Sequence, residues 1–258
     1  MDSDIKMEKH DFYMTLASNL HTEEFPSNAP CNFVTPLVKP LELNTDLFEV
    51  AIAEIIFPGG FYNVKDLDTR FSTYLDTRQD NAAPNKGRFP PGWYSPMQLK
   101  NQLNKLSQHG FSFEYDREEY RFKITISKHK KLLITPSLSH KLGFNGKTTF
   151  AEGVHKSTLA ADLNRDTNML YIYSSIVEES VVGNSYVRLL RTVSTRNEEP
   201  GRYTTITFNS PHYRKVSSCY ENQIQISLCD SNGEFFQFEN SGVVHVTLHF
   251  RNKRQIHN

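Results

Sequence analysis

Apolar and polar positions alternate with a period of two along most of this chain, the signature of half-buried strands. Phe12 to Leu16 has strand composition, whereas Ser18 to Asn32 mixes Asn, His, Glu, Pro and Ser and reads as loop. Phe33 to Val38 reads as a strand, with Pro36 confining it to an edge or a break. Phe48 to Phe57 is rich in β-branched and aromatic residues and stops at Pro58-Gly59-Gly60. Its two carboxylates, Glu49 and Glu54, are five residues apart, which in a regular strand sends them to opposite faces. From residue 163 onward the chain predicts strands at Met169–Val177, Tyr186–Val193, Tyr203–Phe208, Gln223–Leu228, Glu234–Phe238 and Val243–Phe250. In the last, Val244, Val246, Leu248 and Phe250 face one way; His245, Thr247, His249 and Arg251 face the other.

Two stretches change period. Ser95, Pro96 and Gln98 form a helix start with a capping box, Leu99, Leu103 and Leu106 make one apolar stripe, and Gly110 marks the end. Thr135-Pro136 opens a short helical turn that carries Leu138 and Leu142 and stops at Gly143. Between them, Phe111 to Tyr115 and Phe122 to Ile126 alternate around Asp116-Arg117-Glu118-Glu119 and predict a hairpin. The fold class that follows is mainly β, a jelly-roll β-sandwich with a small helix-containing insertion. The expected organisation is an N-terminal arm and first strand over 1–32, partly disordered. The first part of the jelly roll follows at 33–92, with a long loop at 76–92. The helix–hairpin insertion takes 93–150 and the remainder of the jelly roll 151–258.

Charge narrows the function classes. Twenty-nine Lys and Arg balance 29 Asp and Glu, against the basic excess of a dedicated nucleic-acid module. Lys128-His129-Lys130-Lys131 and Arg251-Asn252-Lys253-Arg254 are the local basic runs. They read as solvated or edge-protecting clusters whose contact with nucleic acid is at most nonspecific and salt-sensitive. No apolar run is long enough for a membrane span, and no secretory signal opens the chain. Three scattered cysteines do not make a disulfide framework. The expectation is a protein of the cytoplasm or nucleus that is not secreted.

Candidate chemistry is thin. His245 and His249 share a strand face, but four residues of strand put them roughly 13 Å apart, too far for one zinc ion. Cys31, Cys219 and Cys229 sit in no nucleophile signature, and Cys229 reads as a small core residue. Gly59-Gly60 lacks the further glycines and helix start of a phosphate loop. The pairs Glu23-Glu24, Glu118-Glu119 and Glu198-Glu199 fall in loops, where solvated charge is the default. Trp93 and Tyr94 read as packing anchors. No catalytic, cofactor-binding or metal-binding residue is assigned, no cofactor is expected, and the chain is read as a non-enzyme.

Several segments, in order from about residue 11 to 251, resemble a known family. They are Phe12-Tyr13-Met14-Thr15-Leu16-Ala17-Ser18-Asn19; Phe48 to Pro58 with Tyr62-Asn63-Val64; Leu138-Ser139-His140-Lys141-Leu142-Gly143-Phe144; Leu170 to Glu178; Val182-Gly183-Asn184; Val187-Arg188-Leu189-Leu190-Arg191; and Gly242 to Arg251. The ordered set resembles the minor capsid (penton) proteins of Maverick/Polinton elements and the related adintoviruses. That family commonly carries Trp where Phe48 stands, and the exchange keeps an aromatic anchor. The resemblance implies a jelly-roll subunit of the virion capsid. Such subunits form homopentamers at the five-fold vertices of an icosahedral shell whose faces are a double jelly-roll major capsid protein. It transfers no catalytic residue. A carbohydrate- or receptor-binding jelly roll is the alternative, ahead of a β-sandwich hydrolase or metalloenzyme.

Overall fold

The computed structural model describes residues 11–20, 22–75, 84–195, 201–239 and 241–253. In chain order the strands are β1 (Phe12–Ala17), β2 (Asn32–Glu42), β3 (Phe48–Pro58), β4 (Arg70–Leu75), β5 (Asn85–Arg88), β6 (Phe111–Asp116), β7 (Arg121–Ile126), β8 (Lys130–Ile134), β9 (Thr149–Phe150) and β10 (Gly153–Lys156). They continue with β11 (Met169–Ser174), β12 (Ser180–Val182), β13 (Ser185–Val187), β14 (Leu189–Ser194), β15 (Tyr203–Thr207), β16 (Arg214–Lys215), β17 (Tyr220–Cys229) and β18 (His245–Asn252). Helix α1 is Pro96–Asn104 and α2 is Pro136–Lys141. The chain divides into two compact units, Met1–Phe61 with Thr167–Asn258, and Tyr62–Asp166.

The first unit is an antiparallel β-sandwich. One sheet has the order β1-β18-β3-β15, with β16 also on β3, and the other β14-β11-β17-β2. The two sheets share a core that includes Phe33, Val50, Ile172, Ile226, Leu228, Val246 and Phe250. Its members come from alternate strand positions; in β18, Val246, Leu248 and Phe250 are fully buried while the residues between them are not. The chain closes on itself, since β1 pairs with β18 from Phe12↔Phe250 to Ala17↔His245. Pro36 lies in β2, an edge strand, where a missing N–H costs no ladder bond.

Three strand expectations change. Glu49 and Glu54 share one face of β3, because the β3–β18 register slips at Ala53: Thr247 pairs with Glu54 and Leu248 with Ile52. This bulge inserts one residue and resets the alternation, so Phe48, Val50 and Ile52 before it and Ile55 and Phe57 after it all enter the core. Glu234–Phe238 is not a strand. Asp230 Oδ1 accepts the backbone N–H groups of Asn232 (2.8 Å) and Glu234 (3.1 Å), and this side-chain turn replaces a regular ladder. The bridges Cys229↔Phe235 and Phe61↔Phe238, the Phe236 N–H on Leu228 C=O at 2.9 Å and the Phe236 side chain buried in the core tie the segment down. Tyr186–Val193 splits at Arg188, with β13 pairing β12 and β14 pairing β11.

The second unit has its own core, which includes Phe71, Leu99, Leu103, Phe113, Phe122, Ile134, Leu138 and Phe150. It holds the sheets β5-β4-β8-β9 and β10-β7-β6. The capping box is in place: Ser95 Oγ accepts from Gln98 N, and Gln98 Oε1 accepts from Ser95 N at 2.9 Å. Helix α1 stops at Asn104, earlier than Gly110. The Asn104 side chain there turns to the β6 backbone, bonding Phe113 N–H at 2.7 Å and Phe113 C=O at 2.8 Å, and a 3₁₀ turn at Ser107–His109 completes the connection. Thr135 caps α2, and Gly143 follows it at φ +85°, where a Cβ would collide with the Leu159 carbonyl.

This unit begins at Tyr62 and ends at Asp166, against the 93–150 read from sequence. The reason lies in β4 and β5, which pair with each other and through β4 with β8. Part of the expected 76–92 loop is therefore a strand, with Gly87 lying under the Phe71 ring; residues 76–83 fall outside the described residues. Asp11 is ordered, its carboxylate accepting Asn252 N–H at 2.9 Å, and β1 is integral to the sandwich. The remaining arm, 1–10, lies outside the described residues.

Candidate functional site

The richest surface chemistry of the first unit lies on the outer face of the β1-β18-β3-β15 sheet. Pairing across antiparallel strands places opposite residues on the same side. Tyr13 pairs with His249, and His249 with Ala51. Tyr213 enters the same row from β16, one step before Arg214, which pairs with Val50. Ala51 is small, so the Tyr213 side chain crosses it and brings its hydroxyl to 2.7 Å from His249 Nδ1. On the other side the Tyr13 ring stacks on the imidazole at 4.4 Å between centroids. The neighbouring row holds Arg251, whose guanidinium lies 3.5 Å from the Tyr213 ring centroid and forms an ion pair with Glu49, with Nε to Oε1 at 2.9 Å. A third row is threonine-rich: Thr15 and Thr247 hydroxyls meet at 3.2 Å, and Thr207 donates to Glu54 at 3.2 Å.

Burial and neighbouring charges act on two groups of this cluster. Burial pushes the His249 pKa below its ordinary value; Asp11 opposes that shift and Arg251 adds to it. Tyr213 Oη and His249 Nδ1 share a hydrogen bond, and His249 Nε2 lies 4.0 Å from Asp11 Oδ2. Burial also raises the Tyr213 phenol, with Arg251 the main opposing influence. An Asp–His–Tyr constellation of this kind resembles a nucleophile–base–orienter array, but two features argue against that chemistry. The phenol is moved away from ionisation, and the His249–Asp11 separation exceeds a hydrogen bond. What the arrangement provides is a stiff polar platform edged by Tyr13, which is 66% exposed.

The other sequence candidates are dispersed. His245 and His249 remain on the outer face of β18, and among the described residues no group of three or more His, Cys, Asp or Glu is placed to hold a metal ion. Cys229 is buried at the end of β17, Cys31 is half-buried with its thiol pushed up by burial, and Cys219 is exposed. Cys219 lines a shallow depression of about 430 Å³ together with Glu42, Leu43, Asn44, Thr45 and Tyr220. Glu119 forms ion pairs with Arg121 and Lys156 in the second unit, and Glu198-Glu199 lie outside the described residues. Lys130 and Lys131 begin β8, paired with Leu75 and Tyr74 of β4, ahead of the two residues that β9 covers. Arg251 is committed to Glu49 and Tyr213, and Arg254 lies outside the described residues. Tyr94 packs against the second core and donates its hydroxyl to Pro90 C=O at 2.8 Å. A further exposed apolar pair, Val181 opposite Tyr186, sits on the β12–β13 hairpin. Sequence reading missed Tyr213 and Asp11: neither lies in an alternating run, and β16 is two residues long.

The fold has a known counterpart. Mavirus penton protein matches 95% of this chain and 100% of its own, at TM-score 0.50 and 12% identity. The two share a fold. A chain of the Sputnik virophage structure gives TM-score 0.49 and 11% identity over 96% of this chain and 99% of its own. No protein-family model matches, and no curated protein matches in sequence. Coverage of 95% places both compact units within the mavirus match, so the resemblance read from sequence and the likeness of fold agree. Among the described residues no helix is long and apolar enough to cross a membrane.

Proposed function

We propose that this chain is a structural capsid protein, a penton subunit at the five-fold vertices of an icosahedral shell. The observation that carries the reading is the end-to-end likeness to mavirus penton protein, with neither chain leaving a domain unmatched. A ring of five identical subunits requires two different surfaces of each subunit to meet. The outer face with Tyr13, Tyr213, His249 and Arg251 offers one such surface, rich in the Tyr and Arg side chains that dominate protein interfaces. The sandwich supplies stiffness, and the proposal assigns the chain no substrate turnover. Its partners are copies of itself and a double jelly-roll major capsid protein, and its place is the virion.

The test is solution mass by light scattering, with and without the major capsid protein. A species of five times the 29.8 kDa chain supports the ring. A monomer that persists at high concentration and in the presence of the shell protein overturns it. Tyr13→Ala with Arg251→Ala, in a chain that keeps its circular dichroism, is expected to shift the mass toward monomer.

A further inference from the structure

The second unit buries a cluster of three ionisable side chains that the assembly reading does not use. Lys141, at the end of α2, and Asp68, in the 3₁₀ turn Asp66–Thr69, each have 1% of their side chain exposed. Lys141 Nζ lies 2.6 Å from Asp68 Oδ2 and 3.2 Å from Asp166 Oδ2, and Asp166 is 17% exposed. Leu138 and Leu142, on either side of Lys141, are fully buried in the same core. One ammonium thus faces two carboxylates out of water, a costly arrangement unless every oxygen is satisfied. The two Asp68 oxygens differ sharply. Oδ2 accepts both Lys141 Nζ and the Lys65 backbone N–H, at 2.8 Å, whereas Oδ1 is buried without a hydrogen-bond partner.

We infer that Lys141 and Asp68 are the site of an autocatalytic intramolecular isopeptide bond, with Asp166 as its proton-transfer group. The Lys141 ammonium first passes a proton through Asp166 to Asp68 Oδ1, which leaves a neutral amine held against a neutral carboxyl. The nitrogen lone pair attacks Asp68 Cγ, one bond from the oxygen it already touches. Negative charge in the tetrahedral adduct rests on Oδ2, which the Lys65 N–H is placed to stabilise. Asp166 then takes the second proton from the nitrogen and delivers it to Oδ1, which leaves as water. The ammonium and carboxylate become one amide and one water, Asp166 ends as it began, and no oxidant or cofactor is consumed. The product removes two buried charges and the partnerless oxygen in one step. Burial and fixed contact supply the proximity that makes such a condensation competitive with hydrolysis. This inference does not depend on the ring.

Mass spectrometry of the intact, denatured full-length chain tests it. The expected mass is one water molecule below that of the sequence, and tryptic digestion is expected to give one branched peptide joining the Asp68 and Lys141 segments. Lys141→Arg, which keeps the charge but removes the nucleophile, is expected to run at full sequence mass with an unchanged circular dichroism spectrum. Asp166→Asn is expected to retain the water. A native chain at full sequence mass overturns the inference, as does a water loss that maps to a single aspartate without a branch. The native measurement needs no substitution, so a variant that fails to fold does not remove the test.

Discussion

The two compact units reach stability by opposite routes. The sandwich is assembled from chain segments at both ends of the sequence, with Phe12 stacked on Phe250 at 4.7 Å between ring centroids. The second unit is one continuous stretch, Tyr62–Asp166, whose hairpin and helix caps form between near neighbours. Local contacts cost little loop entropy to close, and distant ones cost more. Polar groups also differ in place. The sandwich carries its cluster on an outer sheet face, where Tyr213, His249, Arg251 and Glu49 satisfy one another next to water. The second unit, besides its surface ion pairs, buries a charged cluster at Lys141 and Asp68. An outer cluster tunes a surface; an inner one holds distant segments together.

Four perturbations would break or sharpen this contrast, the first three read as amide hydrogen exchange in each unit separately. The largest effect is expected from Phe250→Ala, which empties a fully buried position between the closing strands. A loss of about 3–5 kcal/mol in protection of the sandwich amides is anticipated, and equal loss in the second unit would erase the contrast. Lys141→Met strands two carboxylates in the interior and is expected to cost the second unit about 3 kcal/mol or more. Sandwich amides responding as strongly would show that the inner charges do not belong to one unit.

Ser95→Ala removes the α1 cap and should lower second-unit stability by about 1 kcal/mol, visible as faster exchange at the Gln98 amide. The smallest effect concerns pH. The folded-state pKa of His249 is depressed, so the unfolded chain binds the proton more readily. Sandwich stability should therefore fall as pH drops through the ordinary histidine value of about 6.5, and the decline should level off below the depressed folded value. His249→Gln is expected to flatten that part of the profile in equilibrium denaturation; an unchanged slope would remove His249 as its source.

The sequence signalled the elements better than their neighbours in space. Alternation at Val244–Phe250, the Ser95–Gln98 box and the Thr135 cap were all legible, because each depends on residues a few positions apart. The placement of Glu49 and Glu54 was not. A strict period of two separates them, and only the pairing with β18 reveals the extra residue at Ala53 that brings them to one face. Glu234–Phe238 has strand composition, yet the Asp230 carboxylate draws the Glu234 N–H into a turn where a regular strand would begin. The unit boundary at Tyr62 was hidden because β4 finds its partner β8 more than fifty residues downstream.

By itself the sequence determined a mainly β chain with a capped helix and hairpin set among strands. Side-chain alternation and helix-end chemistry are properties of neighbouring residues, and they survive without knowledge of the fold. Tertiary structure decided which groups meet. Tyr213 reaches His249 across Ala51, and Lys141 reaches Asp68 and Asp166, because strand register and core packing bring together segments that no local pattern links. Contacts of that kind arise only when the chain closes its long loops, and their chemistry becomes readable only then.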